Sequence, residues 1–367
     1  MHYPPCQNAS VFAFCGLLML ASATRAVANT PAEMAELSLQ ELLNMQIDEQ
    51  SLAKGDQRTS RSPWSAGLSY HQTRFEGYQT GTRELSNSEV LFTGAPGTRT
   101  NRNFPVLPTT IQQEALIVTL SYAIDRRSSL DIGIPYIKQS TDHISSVPGY
   151  ETFVLTSQGL GDVSISYSRA LKSWQNSSLS GTLGISAPTG SIDEKGDTPR
   201  SPGDQQLPYT MQLGSGTWDI PFGLNYQQQD EHWLWGTQIH GKLRLGRNDR
   251  DYRLGDRFVL APWIKLQRHK WLQPMARLSF QYWDDIDGQD DELLVPGPFP
   301  FPANITDPNN YGGKKINAGI GLSVGGPHSP LQGHKIDIEF GKPLYQDLNG
   351  IQNKEDLNLS ISWSKTL

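Results

Sequence analysis

The alternating stretch Trp218–Leu245 constrains the fold more than any other part of the chain. Apolar side chains occupy every second position from Trp218 to Tyr226, and the alternation resumes at Trp233 after a polar break. A period of two indicates β-strands, and two such runs across a tight polar turn predict a hairpin. The other face of the second run carries Gln238, His240, Lys242 and Arg244. An apolar face opposite a charged face is typical of a membrane barrel, in which the polar side lines a lumen.

The rest of the chain repeats this pattern from Trp64 to Leu367, with breaks that are tight and long in turn. The predicted strands are Trp64–Gln72, Ile111–Ala123, Ser129–Lys138, Gly161–Ser168, Ser178–Ala187, Trp218–Gln228, Trp233–Leu245, Arg257–Gln267, Trp271–Trp283, Lys315–Val324, Lys335–Tyr345 and Glu355–Lys365. Tight turns at one end and long loops at the other are a property of outer-membrane barrels. The sequence therefore predicts an all-β fold over residues 64–367, an antiparallel transmembrane β-barrel of about twelve strands with both termini in the periplasm. A soluble β-sandwich stays open as an alternative, although it does not account for the charged faces.

The composition is compatible with such a barrel. The chain has 367 residues, of which 37% are hydrophobic, and its formal net charge is -6. The mean hydropathy of -0.47 is low, but a barrel strand needs an apolar residue only at every second position. The negative charge is spread along the sequence, which argues against nucleic acid as a partner.

Residues 1–28 have the features of a secretory signal peptide. The apolar run Val11–Ala23 is followed by small residues up to Ala28, which predicts cleavage before Asn29. Both cysteines, Cys6 and Cys15, lie in the part removed. The mature protein would therefore have neither a disulfide nor a cysteine nucleophile.

Residues 29–63 form a polar segment that is expected to stay in the periplasm. Ser38 and Glu41 match a capping box, and the apolar residues up to Met45 follow helical spacing. The segment therefore predicts a short amphipathic helix. This helix either packs in or under the barrel or binds a partner.

Six of the nine tryptophans lie beside a chain end or a tight turn. They are Trp64, Trp174, Trp233, Trp235, Trp271 and Trp363. Tryptophan side chains favour the interface between lipid and water, where they form a girdle around a barrel. Their positions therefore predict a single aromatic rim.

Several motifs resemble one family of outer-membrane proteins, named for the "MetA-pathway of phenol degradation". The motifs are GLGDVSISYSRAL at Gly159–Leu171, LGISAPTGS at Leu183–Ser191, MQLGSGTWDIPFGLNY at Met211–Tyr226, RLGRNDRDYRLGDR at Arg244–Arg257 and WDDIDGQDDEL at Trp283–Leu293. The resemblance extends over the predicted barrel and implies a transporter-like protein. It carries over no catalytic residue.

The predicted strands place a mixed set of polar side chains toward the lumen. These are Asp131, Asp162, Asp219, Asn225, Gln238, His240, Lys242, Arg244, Arg277, Gln281, Asn317, Asp337 and Glu339. Such a set either lines a hydrated pore that selects solutes or forms a salt-bridged network that fills the barrel. The sequence leaves both readings open.

Two predicted outer loops are rich in charge. One carries Asp284, Asp285, Asp287, Asp290, Asp291 and Glu292, whose oxygens could hold Ca²⁺; the alternative is a solvated acidic loop. The other carries Arg247, Arg250, Arg253 and Arg257 with three aspartates between them. Its arginines either pair within the loop or contact the phosphates of lipopolysaccharide.

The function predicted from these features is a channel of the cell outer membrane. It would let small solutes, aromatic or otherwise apolar, cross passively, since no P-loop and no plug domain indicates an energy source. A non-conducting structural or assembly barrel is the first alternative, and a hydrolase using Asp142, His143 and Ser145 is the second. The expected partners are outer-membrane lipids, lipopolysaccharide, the solute and the outer-membrane assembly machinery. No cofactor other than Ca²⁺ is expected.

Overall fold

The computed structural model describes residues 62–200, 203–269, 271–325 and 333–366, which form a closed antiparallel β-barrel. Its strands are β1 (Trp64–Gly81), β2 (Arg83–Leu85), β3 (Val106–Ala123), β4 (Ser128–Ser145), β5 (Thr152–Leu160), β6 (Val163–Ser173), β7 (Ser177–Ala187), β8 (Lys195–Asp197), β9 (Asp204–Gln206), β10 (Trp218–Gln229), β11 (Trp233–Leu245), β12 (Tyr252–Arg253), β13 (Arg257–Leu266), β14 (Leu272–Trp283), β15 (Asp287–Gly288), β16 (Gly313–Gly325) and β17 (His334–Thr366). The predicted signal peptide and the predicted helix Ser38–Met45 lie outside the described residues.

The helices of the described residues are all short. They are the α-helix α1 (Asn87–Val90) and three 3₁₀ turns at Tyr209–Met211, Asp291–Leu293 and Asn304–Thr306. Among the described residues, no helix has the length and apolar composition that a membrane span requires.

Eleven strands form the closed circuit, in the order β1, β3, β4, β6, β7, β10, β11, β13, β14, β16 and β17, and β17 pairs with β1 to close it. Strands β2 and β5 pair with this sheet from outside the circuit. Two further pairs, β8 with β9 and β12 with β15, form small antiparallel two-stranded sheets in the long connections. The predicted all-β barrel is thus confirmed as a fold.

The last strand accounts for the difference between eleven strands and the predicted twelve. The predicted strands Lys335–Tyr345 and Glu355–Lys365 are the two halves of the single element β17, which has 33 residues. Its first half pairs with β16 and its second half with β1, so it crosses the wall and returns. The predicted loop Gln346–Lys354 is shorter in the structure, because residues up to Leu348 pair with β16 and Gln352 and Asn353 pair with β1. The chain turns back between them at Gly350, whose φ is 54°.

Most other strands agree with the period-two pattern. Strand β11 has the predicted bounds, and β10 and β13 differ from their predictions by one residue at one end. The outward positions carry exposed apolar side chains such as Leu224, Ile239 and Leu260, whereas the inward positions between them are buried and polar. The predicted division into an apolar outer face and a polar inner face is therefore present.

The barrel wall is taller on one side than on the other. Strands β1, β3 and β4 have 18 residues each, a length of about 60 Å, whereas β7, β10 and β13 have 11, 12 and 10. A bilayer needs only about 9–11 strand residues. The band of outward-facing apolar side chains that a bilayer would cover is called the apolar belt. The tall side therefore extends beyond the apolar belt by about half its length.

The polarity of the two faces reverses in this extension. On β1, Arg74 and Glu76 point outward and form an ion pair of 2.7 Å, while Phe75 and Tyr78 are buried inside. The sequence prediction ended this strand at Gln72 because the outward residues cease to be apolar there. Strand β5, on the same side, was wrongly included in the predicted break Ser140–Gln158.

The two ends of the barrel differ. The end at Trp64 and Thr366, with the tight turns, is called the terminal rim, and the opposite end, with the long connections, the loop rim. At the terminal rim Trp64, Trp174, Trp233 and Trp271 are 45–47% exposed, and Trp235 and Trp363 are half-buried. Trp218 is exposed at the loop rim, and Trp263 and Trp283 are buried inside. The six predicted rim tryptophans thus lie together.

The long connections fold over the loop rim and form an apolar cap. One cluster of the cap contains Tyr209, Tyr252, Leu254, Ile286, Leu293 and Tyr311. A second packs Ala303 and Ile305 against the inner face of the tall side at Phe75 and Ile111. The cap therefore covers the barrel from the short side toward the tall side.

Candidate functional site

The lumen contains all the polar side chains that the sequence placed there. Asp131, Asp162, Asp219, Asn225, Gln238, His240, Lys242, Arg244, Arg277, Gln281 and Asn317 are buried, and Asp337 and Glu339 are half-buried. Barrel closure brings them together, since they alternate with outer residues on the six strands β4, β10, β11, β14, β16 and β17, and Asp162 lies in the connection before β6. Their function stays a prediction, and their contacts divide them into two groups.

The first group lies toward the loop rim and is centred on Asp219. Its carboxylate forms an ion pair with Arg244 and lies 3.9 Å from Lys242. Thr217 Oγ1 and Ser215 Oγ also donate to it, at 2.7 and 3.2 Å. The side chain of Asp219 has no exposed surface, so these donors replace the water that a buried carboxylate loses.

Asp162 belongs to the same group and anchors a chain segment inside the barrel. Its carboxylate accepts hydrogen bonds from Gly190 N at 2.9 Å and from Ser215 N and Oγ at 2.8 Å. Burial of Asp162 is therefore offset by donors from two loop backbones.

The segment that Asp162 anchors, Tyr209–Ser215, is called the inserted segment. All but Gly214 of its residues are at most 4% exposed, and it lies against the inner face of the tall side. Gln139 Nε2 donates to Gln212 O at 2.9 Å, and Ser157 Oγ donates to Met211 O at 2.6 Å. The inserted segment therefore narrows the lumen near the loop rim.

The second group is a wall of buried cations on the short side. It consists of Lys242 on β11, Arg257 and Lys265 on β13, Arg277 on β14 and Lys315 on β16, and is called the cationic wall. All five are at most 8% exposed. Sequence reasoning identified only Lys242 and Arg277. The alternation of β13, which puts Arg257 and Lys265 on the face of Val259 and Ala261, could have revealed these two. The alternation of β16, which puts Lys315 on the face of Asn317, could have revealed the third.

Carboxylates on β17 face the cationic wall. Arg277 lies 3.2 Å from Glu339 and also donates to Gln238 at 3.0 Å. Lys265 lies 3.6 Å from Asp337, and Lys315 forms an ion pair with Glu355. A buried ion must be paired or hydrogen-bonded to be tolerated. Three cations of the wall thus pair with carboxylates on β17, the strand next to β16.

A cavity of about 50 Å³ lies beside the cationic wall. Arg257, Arg277, Lys315, Glu339 and Glu355 line it, together with polar side chains of β1, β14, β16 and β17. This volume holds a few water molecules. The lumen is therefore neither empty nor completely filled by side chains.

The acidic loop lies in the cap, and its carboxylates pair with the arginines of the other charged loop. Asp287 lies 3.0 Å from Arg247, and this hydrogen bond holds the pKa of Asp287 below its usual value. Asp290 and Glu292 each lie 3.3 Å from Arg250. Burial raises the pKa of Asp290. Pairing thus occurs mainly between the two loops, whereas Arg253 and Asp256 pair within one at 3.6 Å.

Other acidic side chains of this loop bind hydroxyl and amide groups. Asp284 accepts from Tyr282 OH at 2.8 Å, and Asp291 accepts from Gln289 Nε2 at 2.9 Å. In the described ranges, no three carboxylate, imidazole or thiol groups lie together in a way that could hold a metal ion.

The residues of the hydrolase alternative do not come together. Asp142 and His143 are neighbours on β4 and point to opposite faces, so Asp142 is exposed and His143 is buried. The His143 ring stacks on Phe153, with 4.5 Å between the centroids. Ser145 Oγ accepts a hydrogen bond from Val147 N at 2.9 Å. A triad needs its base between the acid and the nucleophile, which this arrangement does not provide.

Comparisons with known proteins identify the barrel by its fold. The chain matches no family model, and no curated protein matches it significantly. Among solved structures it is similar to the COG4313 outer membrane channel from Pseudomonas putida F1, with a TM-score of 0.53 and 13% identity over 85% of this chain and 98% of that one. It is also similar to a Pseudomonas aeruginosa FadL homologue, with a TM-score of 0.40 and 11% identity over 83% and 90%, and to the Pseudomonas putida toluene transporter TodX, with 0.41 and 9% over 84% and 90%. The likeness to the first of these is one of fold: the chain has the barrel architecture of a bacterial outer-membrane protein.

Proposed function

We propose that the protein is an outer-membrane channel that lets small solutes cross passively. The observation that carries this proposal is the cationic wall, a set of five buried cations, three of which line a cavity, inside a barrel whose outer face is apolar. A soluble barrel would bury apolar residues and expose its charges. The opposite arrangement fits a barrel with lipid outside and a hydrated lumen inside.

The orientation follows from the two rims. The terminal rim has the tight turns and the loop rim the long connections, as expected for periplasmic and outer sides. We therefore place both termini in the periplasm and the cap outside. In this orientation the apolar belt contacts outer-membrane lipids, and the charged loops of the cap face lipopolysaccharide. Assembly into the membrane would need the outer-membrane assembly machinery.

The lumen sets which solutes pass. Its cations and carboxylates lie close together in ion pairs, so a polar solute passes buried charges of both signs. The family resemblance favours small aromatic or apolar solutes, and the small cavity volume agrees with small size. Movement follows the solute's concentration gradient. A Ca²⁺ ion in the acidic loop remains a prediction and is not needed for this function.

A non-conducting structural barrel is the second candidate, and the inserted segment favours it. Its buried residues and the ion pairs of the lumen occupy space that a pore would need. The two candidates differ in one measurable quantity, the ionic conductance of the purified full-length protein in planar bilayers. Discrete conductance steps support the channel. A folded, inserted barrel that neither conducts ions nor allows solute uptake by liposomes would contradict the channel proposal and support the structural role.

A further inference from the structure

Asp131 on β4 is a buried carboxylate of the lumen that has no cationic partner in the described part of the chain. It is 2% exposed, and it alternates with Leu130 and Ile132 on the outer face. Within the described ranges, no lysine, arginine or histidine forms an ion pair with it. Ser129 Oγ donates to Oδ2 at 3.1 Å, whereas Oδ1 has no hydrogen-bond partner among the described residues.

The other carboxylates of the lumen are compensated more fully. Four of them form ion pairs with a lysine or an arginine, namely Asp219, Asp337, Glu339 and Glu355. Asp162 accepts three hydrogen bonds from Gly190 and Ser215. A buried carboxylate that has neither kind of compensation costs several kcal/mol unless its charge is neutralised. Asp131 therefore requires a further explanation.

The inner wall around Asp131 consists of hydroxyl groups. Ser121 on β3 and Ser166 on β6 lie directly opposite Asp131 on the two neighbouring strands. These two serines, together with Ser129, Ser164 and Ser168 on the same inner face, are called the hydroxyl patch. Directly opposite side chains of antiparallel strands have Cβ atoms about 4.5–5.5 Å apart. Since a hydroxyl oxygen can accept as well as donate, the patch offers oxygen ligands on both sides of the carboxylate.

Gly184 on β7 determines where the Ser166 hydroxyl lies. A Cβ at this glycine would collide with Ser166 Oγ, so the hydroxyl occupies the space over the glycine. Ser166 is thereby turned toward β7 and does not donate to Asp131. The Oδ1 lone pairs of Asp131 therefore have no donor from the strand directly opposite.

We propose that Asp131 and the hydroxyl patch bind a small monovalent cation such as Na⁺. Hard cations take oxygen ligands, and divalent ions in proteins usually take several carboxylates. A single carboxylate with hydroxyl groups around it balances one positive charge. The site lies near the terminal rim, because β4 begins at Ser128. The inference goes beyond the proposed function, since a cation can bind here whether or not the barrel conducts.

The test is a ²³Na NMR titration of the full-length protein in a non-ionic detergent, with choline as the only other cation. We expect a saturable excess line broadening, which K⁺ displaces and additional choline does not, because choline is bulky and has no N–H group. A titration without a saturable component would overturn the proposal. Displacement by choline as effective as that by K⁺ would overturn it too.

Two variants assign the binding to Asp131. Asp131→Asn keeps the shape of the side chain and removes its charge, and it should weaken Na⁺ binding at least about tenfold. The matched control is Asp142→Asn, which removes an exposed carboxylate of the same strand and should bind Na⁺ as the wild type does. If Asp131→Asn does not fold, Asp131→Ser, which continues the hydroxyl patch, takes its place. A folded Asp131 variant with wild-type Na⁺ affinity contradicts the proposal.

A protonated Asp131 would also be neutral, and thermal unfolding distinguishes it from a cation-bound one. A ligand that binds only the folded state raises the Tm. We therefore expect a higher Tm for the wild type in NaCl than in choline chloride of equal ionic strength, and a smaller difference for Asp131→Asn. Equal Tm values of the wild type in the two salts would overturn the proposal in favour of the protonated carboxyl group.

Planar-bilayer recordings of the same samples separate this inference from the channel. Saturable Na⁺ binding by a wild-type protein that does not conduct would leave the site in place and refute the channel. Conductance of a protein without saturable Na⁺ binding would leave the channel in place and refute the site.

Discussion

Lys242 on β11 and Arg257 on β13 lie directly opposite each other, and both side chains are buried in the lumen. Like charges at directly opposite positions destabilise a sheet. The two cations therefore repel each other, and the 3.9 Å contact of Lys242 with Asp219 offsets part of this repulsion. We propose that this pair helps to select what enters the lumen.

The first prediction concerns this pair. Lys242→Gln should fold normally and change the free energy of unfolding by less than about 1 kcal/mol, because relief of the like-charge contact with Arg257 opposes the loss of the 3.9 Å contact with Asp219. It should also shift the reversal potential in a salt gradient toward cation permeation. Planar-bilayer recordings check this, with Arg247→Gln in the cap as control. Identical reversal potentials for the variant and the wild type would contradict it.

The second prediction separates Arg244 from Lys242, although the two are neighbours on one face of β11. Arg244→Gln should cost about 3–5 kcal/mol of stability, since it leaves the fully buried Asp219 without its arginine. Adding Asp219→Asn should restore much of this loss. Urea unfolding of the detergent-solubilised barrel measures both. A double variant no more stable than Arg244→Gln would refute the pairing.

The third prediction tests the position of the lipid. Leu224 and Val154 are both exposed on the outer face, at 46% and 58%, but Val154 lies on β5 beside the extension of the tall side. Leu224→Arg should cost about 2–4 kcal/mol, and Val154→Arg about 0–1 kcal/mol, because only the first lies near the bilayer midplane. Refolding into liposomes at graded urea concentrations gives both values. Equal free-energy costs for the two variants would contradict the assigned position of the apolar belt.

The fourth prediction concerns the anchor of the inserted segment. Asp162→Ala removes the acceptor of three hydrogen bonds to Gly190 and Ser215, so the inserted segment should loosen and single-channel conductance should rise. Asp193→Ala, an exposed carboxylate in the cap, is the control and should leave the conductance at the wild-type value. A folded Asp162→Ala variant with unchanged conductance would show that the segment does not limit the pore.

The fifth prediction concerns orientation. Pro96 lies in an exposed stretch of the connection between β2 and β3 at the loop rim, and Glu231 lies in the tight β10–β11 turn at the terminal rim. An epitope inserted at Pro96 should bind antibody on intact cells, and one at Glu231 should bind only after the outer membrane is permeabilised. The reverse result would invert the assigned topology.

The period-two alternation of the sequence was sufficient to predict the strands that form the apolar belt. In β11 each side chain's face follows from the parity of its position, so the bounds and the lumen residues Gln238 to Arg244 could be predicted from residues close in sequence. The extension of the tall side on β1 follows another rule, with the apolar residues Phe75 and Tyr78 inside and the charged residues Arg74 and Glu76 outside. The alternation with apolar residues facing outward therefore stops at Gln72 on β1, although the strand continues.

The inserted segment could not be predicted in this way. Tyr209–Ser215 is buried because Gln139 and Ser157, distant in sequence, donate to its backbone. Nothing within the segment itself indicates such a partner. Barrel closure likewise brings Arg277 to Glu339 and Lys315 to Glu355, and these pairs depend on a strand register that the sequence does not show.

The double pairing of β17 has a consequence for the order of events during biogenesis. Strand β17 holds both the final hairpin and the seam with β1, in which Ser65 pairs with Thr366. The ring cannot close before the last residues of the described chain have arrived. Contacts between such distant residues form slowly because the loop-closure entropy must be overcome first. During that interval β1 has an open edge, which is a site for pairing with other chains, so export and assembly must protect the first strand until the last one is in place.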